Sequence, residues 1–224
     1  MSAIFITATG TDIGKTYLAT EMIRYFRRIG RPVDALKPVV TGFDPARPEA
    51  SDTGRLLAAL GRPITPDEVA RVSPWRFAAP LAPDLAAGRE GRTLDFDVLV
   101  EFSRHAIRNH AGTLLIEGIG GIMVPLDTRH TVLDWMSALN VPVVLVTGSY
   151  LGSISHTLTC IEVLRQRELA IRAVVVNETG DSTVTIEDTI KSVAGLANAI
   201  PVQRLLRFAD QSNENDIAII SMYL

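Results

Sequence analysis

Residues 7–16 read "TATGTDIGKT". Gly14-Lys15-Thr16 has the ending of a phosphate-binding loop, whose usual spacing, G-x-x-x-x-G-K-[ST], puts a first glycine at position 9. Thr9 stands there instead, between Ala8 and Gly10. The flanks decide the reading. The apolar run at 3–7 predicts a short strand, and the amphipathic stretch 15–28, stopped by Gly30 and Pro32, predicts a helix opening at Lys15. A strand–loop–helix unit of this kind aims backbone N–H groups at an anion. Backbone N–H groups of the loop and the helix start would hold phosphate oxygens, Lys15 would reach terminal phosphates, and the Thr16 hydroxyl would ligate Mg2+.

The same alternation continues outward. Strands are predicted at 33–38, 113–118, 141–147, 171–177 and 201–206. Helices are predicted at 52–60, 95–109, 154–167 and 186–199, with the remainder of 42–94 expected to be loop. Apolar strands alternating with helices imply an α/β fold of three layers, a central, mostly parallel sheet covered by helices on both faces. Ligands in such folds bind at the carboxyl ends of the strands. No repeat, low-complexity block or long linker divides residues 1–224, so one domain is expected.

The chemistry-bearing residues fall at those strand ends. "LKPVVTG", 36–42, presents Lys37 and Thr41 beside a proline and a glycine, where they could grip an anion or belong to a surface turn. "LLIEGIGG", 114–121, ends an apolar strand in Glu117. Gly118 and Gly120 follow, allowing backbone to approach a ligand closely. It resembles a Walker-B arrangement, in which a strand-end acid holds magnesium. Asp52 in "ASDTG" suits a helix N-cap. Asn177 could read the edge of adenine or make an Asx-turn. "LGSISHT", 151–157, opens a helix whose free N–H groups could hold a carboxylate.

Composition narrows the classes. Of 224 residues, 47% are hydrophobic, enough to bury a full core. A net charge of −3 gives no basic surface for nucleic acid or an acidic membrane. No apolar run reaches the roughly 18 residues that cross a bilayer, and the N-terminus reads as neither secretion signal nor transit peptide. With Cys160 the single cysteine, an internal disulfide is impossible, and a cytoplasmic location is the simplest expectation. The four histidines have no metal spacing, and Trp75, Phe77 and Trp135 are expected in the core. Only three of the 22 basic residues are lysines, and two of them, Lys15 and Lys37, sit inside glycine-containing motifs.

Taken together, these stretches resemble the dethiobiotin synthetases over roughly residues 3–206. That family's loop is similar to G-T-x-T-x-x-G-K-T, so Ala8 stands where the family has its first glycine. K-P-V-x-[ST]-G matches 37–42 and E-G-x-G-G matches 117–121. "SPWRFAAPLAP" (73–83), "PLDTRHTVLDW" (125–135), L-G-x-I-x-H (151–156), Asn177 and Ile200-Pro201 also agree. Position 155 is Ser where the family usually has Asn.

The resemblance implies a P-loop NTPase fold and an ATP-dependent ligase of biotin biosynthesis. Such an enzyme carboxylates 7,8-diaminopelargonic acid with CO2 or bicarbonate and closes a ureido ring through a carbamic-phosphoric anhydride. It implies Mg2+ held by Thr16, Asp52 and Glu117, and Lys15 and Lys37 neutralising phosphate and carbamate charge. Asp12 to Tyr17, Asp52, Glu117, Gly118, Gly120, Asn177, Pro201 and Val202 would contact the nucleotide. Thr41, Gly120, Ser153 and Ser155 would contact the substrate, the last two across a homodimer interface. A ParA-like regulatory ATPase is the alternative, but Gly10 stands where that class has its signature lysine. A cobyrinate-type amidase would need a further glutaminase domain. A divergent member with a changed substrate is the remaining alternative.

Overall fold

The computed structural model describes residues 2–180, 182–207 and 212–224. The first strand, β1 (Ser2–Ala8), runs into the Gly14-Lys15-Thr16 loop and then helix α1 (Lys15–Arg28). After β2 (Val33–Leu36), β5 (Thr113–Glu117), β6 (Val143–Gly148), β7 (Ile171–Asn177) and β8 (Val202–Leu205) complete a six-stranded sheet. Its order is β2-β5-β1-β6-β7-β8, with every pairing parallel. The chain order reverses about β1, which places the ligand crevice beside its carboxyl end.

β1 shows why this sheet is central. Ile4 and Ile6 pack on one face and Phe5 on the other, all fully buried. On the Ile4 face lie α1, α2 (Asp52–Leu60), α3 (Pro66–Val72) and the C-terminal α9 (Ser212–Ser221), through Met22, Leu56, Val72 and Ile217. On the Phe5 face lie α5 (Phe96–Asn109), α6 (Val132–Leu139), α7 (Ser153–Gln166) and α8 (Ile186–Leu196). Each such buried side chain contributes roughly 1.5–3 kcal/mol of transfer free energy. Trp135 is fully buried edge-on to Phe5, and its indole N–H donates to Ser103 Oγ at 3.2 Å. Cys160 is a core residue whose thiol burial pushes up to about 11.

Two expectations change. Residues 42–94 hold more than one helix: a 3-10 turn at Pro48–Ala50, then α2, α3, β4 (Trp75–Phe77) and α4 (Pro83–Arg89). These pieces are too short for a hydrophobic period to show, although proline starts both α3 and α4, where its missing N–H costs nothing. The strand expected at 33–38 stops at Leu36, because Pro38 cannot donate to the ladder. The chain then forms β3 (Val39–Thr41), which pairs with β4 in a second, two-stranded sheet. Lys37 therefore sits at the break between two sheets.

Candidate active site

The carboxyl ends of β1, β2 and β5 converge on a cleft of about 590 Å³ lined by the loop, Lys37, Thr41, Asp52, Glu117 and Gly120. The loop achieves its curvature late. Gly14 has φ +104° and Asp12 φ +57°, whereas Ala8 is not among the residues with positive φ. Ala8 thus occupies an ordinary backbone position, and a glycine is not required there. Gly14 is required twice over. Its left-handed backbone disfavours any side chain, and an added Cβ would lie 2.1 Å from Asn177 Nδ2.

Lys15 is 6% exposed and donates to the carbonyls of Gly10 (3.0 Å) and Gly120 (2.8 Å). Burial, reinforced by the Lys37 charge, lowers its pKa to about 8 despite Glu117, Asp52 and Asp12. Lys37 is 3% exposed and donates to Glu117 Oε1 and to Gly118 O, both at 2.7 Å, with Asp52 Oδ2 at 3.4 Å. Burial acts to lower its pKa, but the charges of Glu117 and Asp52 outweigh it and raise the ammonium above its ordinary value. Glu117 Oε1 also accepts from Thr16 Oγ1 at 2.6 Å. Burial pushes the Asp52 carboxyl up, while Lys37 and a hydrogen bond from Thr16 bring it below the usual range.

Glu117 Oε2 is buried with no hydrogen-bond partner. The Thr16 hydroxyl, bonded to the same carboxylate, and the Asp52 carboxylate, which shares Thr16 and Lys37 with it, complete an all-oxygen donor set that suits a hard cation. Among the described residues no group of three or more His, Cys, Asp or Glu could cage a metal. Two carboxylates and one hydroxyl leave positions for phosphate oxygens and water, the arrangement Mg2+ favours. The donor set fits Mg2+.

Asp52 is not an N-cap. Ser51 caps α2 by accepting from the Gly54 N–H, and Asp52 is the first helical residue, free to face Lys37. Gly54 fixes this placement, since an added Cβ would lie 2.3 Å from Pro48 O and 2.6 Å from Glu49 Cα. Gly54→Ala is expected to push the start of α2, and Asp52 with it, off the 3-10 turn. Stability should fall by about 1–3 kcal/mol, measured by denaturant unfolding, with weaker Mg2+-dependent ATP binding. A fully stable variant with unaltered binding would contradict that account.

Other expected site residues lie apart from the cleft. Asn177 stands behind the loop, its Nδ2 donating to Ile13 O at 2.9 Å and its Oδ1 buried without a partner. Ser153 opens α7 with a buried, unpartnered Oγ, and Ser155 is exposed; neither lines the cleft. Pro201 and Val202 sit at the opposite end of the sheet. Val202 pairs with Val174 and Pro201 O accepts from the Val174 N–H, whereas Asn177, at the loop end of β7, pairs with Leu205. At about 3.3 Å per residue, those two positions lie some 10 Å from the loop end of β8, and it is Arg207 that lines the cleft. Sequence reading also missed Arg55, one helical turn beyond Asp52 and hence on its face, and the wall formed by Pro80 and Pro83.

Comparison with known proteins agrees with this geometry. Residues 2–209 match a family described as "AAA domain". The chain is 51% identical to the ATP-dependent dethiobiotin synthetase BioD of Acidiphilium cryptum over 90% of this chain and 91% of that one. It is 52% identical to the synthetase of the same name from Methylobacterium nodulans over 87% and 88% of the two chains. In solved structures the fold resembles the MinC:MinD cell division complex of Aquifex aeolicus, with TM-score 0.56 and 13% identity over 96% of this chain and 86% of that one. That likeness carries the architecture alone. A loop with Lys15 held by carbonyls, Glu117 shared by Thr16 and Lys37, and half of all residues shared along nearly the whole length lead to one conclusion: the chain belongs to the ATP-dependent dethiobiotin synthetase family.

Proposed function

We propose that the cleft performs the family's ligation, joining CO2 to 7,8-diaminopelargonic acid and closing the ureido ring with ATP. One amine attacks CO2 and loses a proton, giving a carbamate. A carbamate oxygen takes the γ-phosphoryl group, releasing ADP, and the second amine attacks the carbonyl carbon and expels phosphate. The observation that carries this reading is the convergence of Thr16, Lys37 and Asp52 about Glu117 at the foot of the cleft. Thr16, Asp52 and Glu117 would hold Mg2+, which supplies charge neutralisation between the phosphates. Lys15 and the loop amides would bind the β- and γ-phosphates. Lys37 and Thr41 would hold the carbamate in line, so positioning and preorganised charge do most of the work.

The test is phosphate release from Mg-ATP with and without diaminopelargonate and bicarbonate. Turnover should require both. Full-rate hydrolysis with nucleotide alone would mark a regulatory ATPase instead.

The start of α7 supports a homodimer as part of the same proposal. Ser153 and Ser155 lie outside this chain's own cleft, and neighbouring Leu151 is 79% exposed. A second copy would cover Leu151 and bring the α7 N–H groups to the partner's substrate carboxylate. Light scattering at micromolar concentration should give twice the 24.3 kDa of one chain. A single-chain mass with full activity would defeat the dimer. A single-domain enzyme working in the cytoplasm completes the reading.

A further inference from the structure

The C-terminal helix meets the first turn of α1, directly after the phosphate loop, at the Tyr17 phenol. Tyr17 follows Thr16 in the first turn of α1, and its hydroxyl donates to Leu206 O at 3.1 Å. The same oxygen accepts from Asn213 Nδ2 at 2.6 Å. Burial, with the charge of Glu21, raises the phenol above its ordinary value, so it remains a donor at neutral pH. Asn213 lies at the start of α9, is 8% exposed, and keeps its Oδ1 without a partner. The helix is anchored independently by the buried Ile217 and Ile220 and by Arg204 to Asp216 (3.1 Å). Asn213 is therefore not needed merely to dock it.

What the phenol does hold is the exit of β8. Leu206 leads into Arg207, which lines the cleft together with Tyr17. The Arg207 N–H donates to Glu178 Oε2 (3.2 Å) and the Glu178 N–H to Leu205 O (3.0 Å). β8 is at the opposite edge of the sheet from β2, whose end carries Lys37. With phosphates on the loop and the reacting carbamate at Lys37, the β8 side is left for the nucleoside.

We propose that Tyr17 and Asn213 are positioning residues for the nucleoside end of ATP: the relay from Asn213 N–H through Tyr17 O–H to Leu206 C=O holds the β8 exit, and Arg207 with it, against α1. This makes the C-terminal helix a working part of the nucleotide site, and it rests on the ATP reading above. The relay has a direction. Asn213→Asp keeps the shape but cannot donate when ionised, so it would draw the Tyr17 proton to itself and strip Leu206 O of its donor. Asn213→Ala removes one bond and leaves the Tyr17–Leu206 bond in place.

The experiment titrates Mg-ATP and tripolyphosphate, which lacks a nucleoside, into the full chain and three variants at pH 8, well below melting. Tyr17→Phe and Asn213→Asp should weaken ATP about tenfold and Asn213→Ala about threefold, the range a buried hydrogen bond spans. Tripolyphosphate affinity should not move. In the Asn213 variants KM for ATP should rise while kcat at saturating ATP stays within about twofold. Unchanged ATP affinity, or equal losses for ATP and tripolyphosphate, would overturn the proposal. A wild-type protein that binds ATP yet makes no dethiobiotin would defeat the synthetase reading and leave the relay standing on its titrations.

Discussion

Lys37→Met is expected to lower turnover by roughly a hundred- to a thousandfold, while Lys191→Met leaves it unchanged. The two changes remove the same group from different surroundings. Lys191 is exposed on α8, and the pair with Glu187 that its helical spacing suggests does not form within 4 Å among the described residues. Its loss costs at most a few tenths of a kcal/mol. Lys37 is fixed by Glu117 and Gly118 at 2.7 Å, so its ammonium needs no reorganisation when charge develops on the transferring phosphoryl group. Removing such a donor costs on the order of 3–4 kcal/mol in the transition state. ATP affinity should suffer less, since Lys15 and the loop amides remain. The measurements are single-turnover rate, ATP affinity and melting temperature for both variants. Near-wild-type turnover in Lys37→Met would remove the residue from the chemistry.

Glu117→Gln should be nearly as severe and differ in kind, weakening the Mg2+ dependence of ATP binding at least tenfold and turnover a hundredfold or more. Glu117 accepts from two groups, Thr16 and Lys37, on Oε1 and keeps Oε2 buried without a partner, available to a cation. The amide keeps the volume but removes the charge that balances a lysine 3% exposed. Lys37 would then keep the Gly118 carbonyl at 2.7 Å but, among its ion-pair partners, just Asp52 at 3.4 Å. Breaking a buried pair on one side typically costs 3–5 kcal/mol, so melting should fall as well. Titrating Mg2+ at fixed ATP separates lost metal affinity from lost stability. An unchanged Mg2+ requirement would exclude Glu117 as a ligand.

Much of this was legible from residues alone because long segments carry their own period. The helix at Lys15–Arg28 and the strand at Ile171–Asn177 appear with the expected limits. What escaped was short or distant. α6 (eight residues) announces itself by a capping box, Thr131 with Asp134, α3 by an initial proline behind the Thr65 cap, and α4 by an initial proline. α9 packs by tertiary contact with β8 and α1, and its residues show almost no amphipathic period. Within the site, strand-end position pointed to Glu117 but left Lys37 open between an anion grip and a surface turn, and it was the family resemblance that gave Lys37 a role. Neither could say that the two touch, because 80 residues separate them and only the β2–β5 pairing brings them together. Pro201 was misplaced because sequence agreement marks a strand without saying which end faces the ligand.

The strand order also dictates when the protein can begin to fold. β1 precedes every other described strand, yet its partners are β5 and β6, with Ser2 beside Thr113 and Phe5 beside Val143. A growing chain therefore carries Ile4, Phe5 and Ile6 unpaired for more than a hundred residues before either neighbour exists. Loops that long close slowly, and contacts so distant in sequence slow folding and leave apolar edges exposed on the way. The ATP site draws on residues from Gly10 to Arg207, so nucleotide can stabilise only a chain in which both have already been made. During synthesis α1 can cover the Ile4 face of β1 early, but the Phe5 face waits for α5 and later helices, so refolding yield should depend steeply on protein concentration.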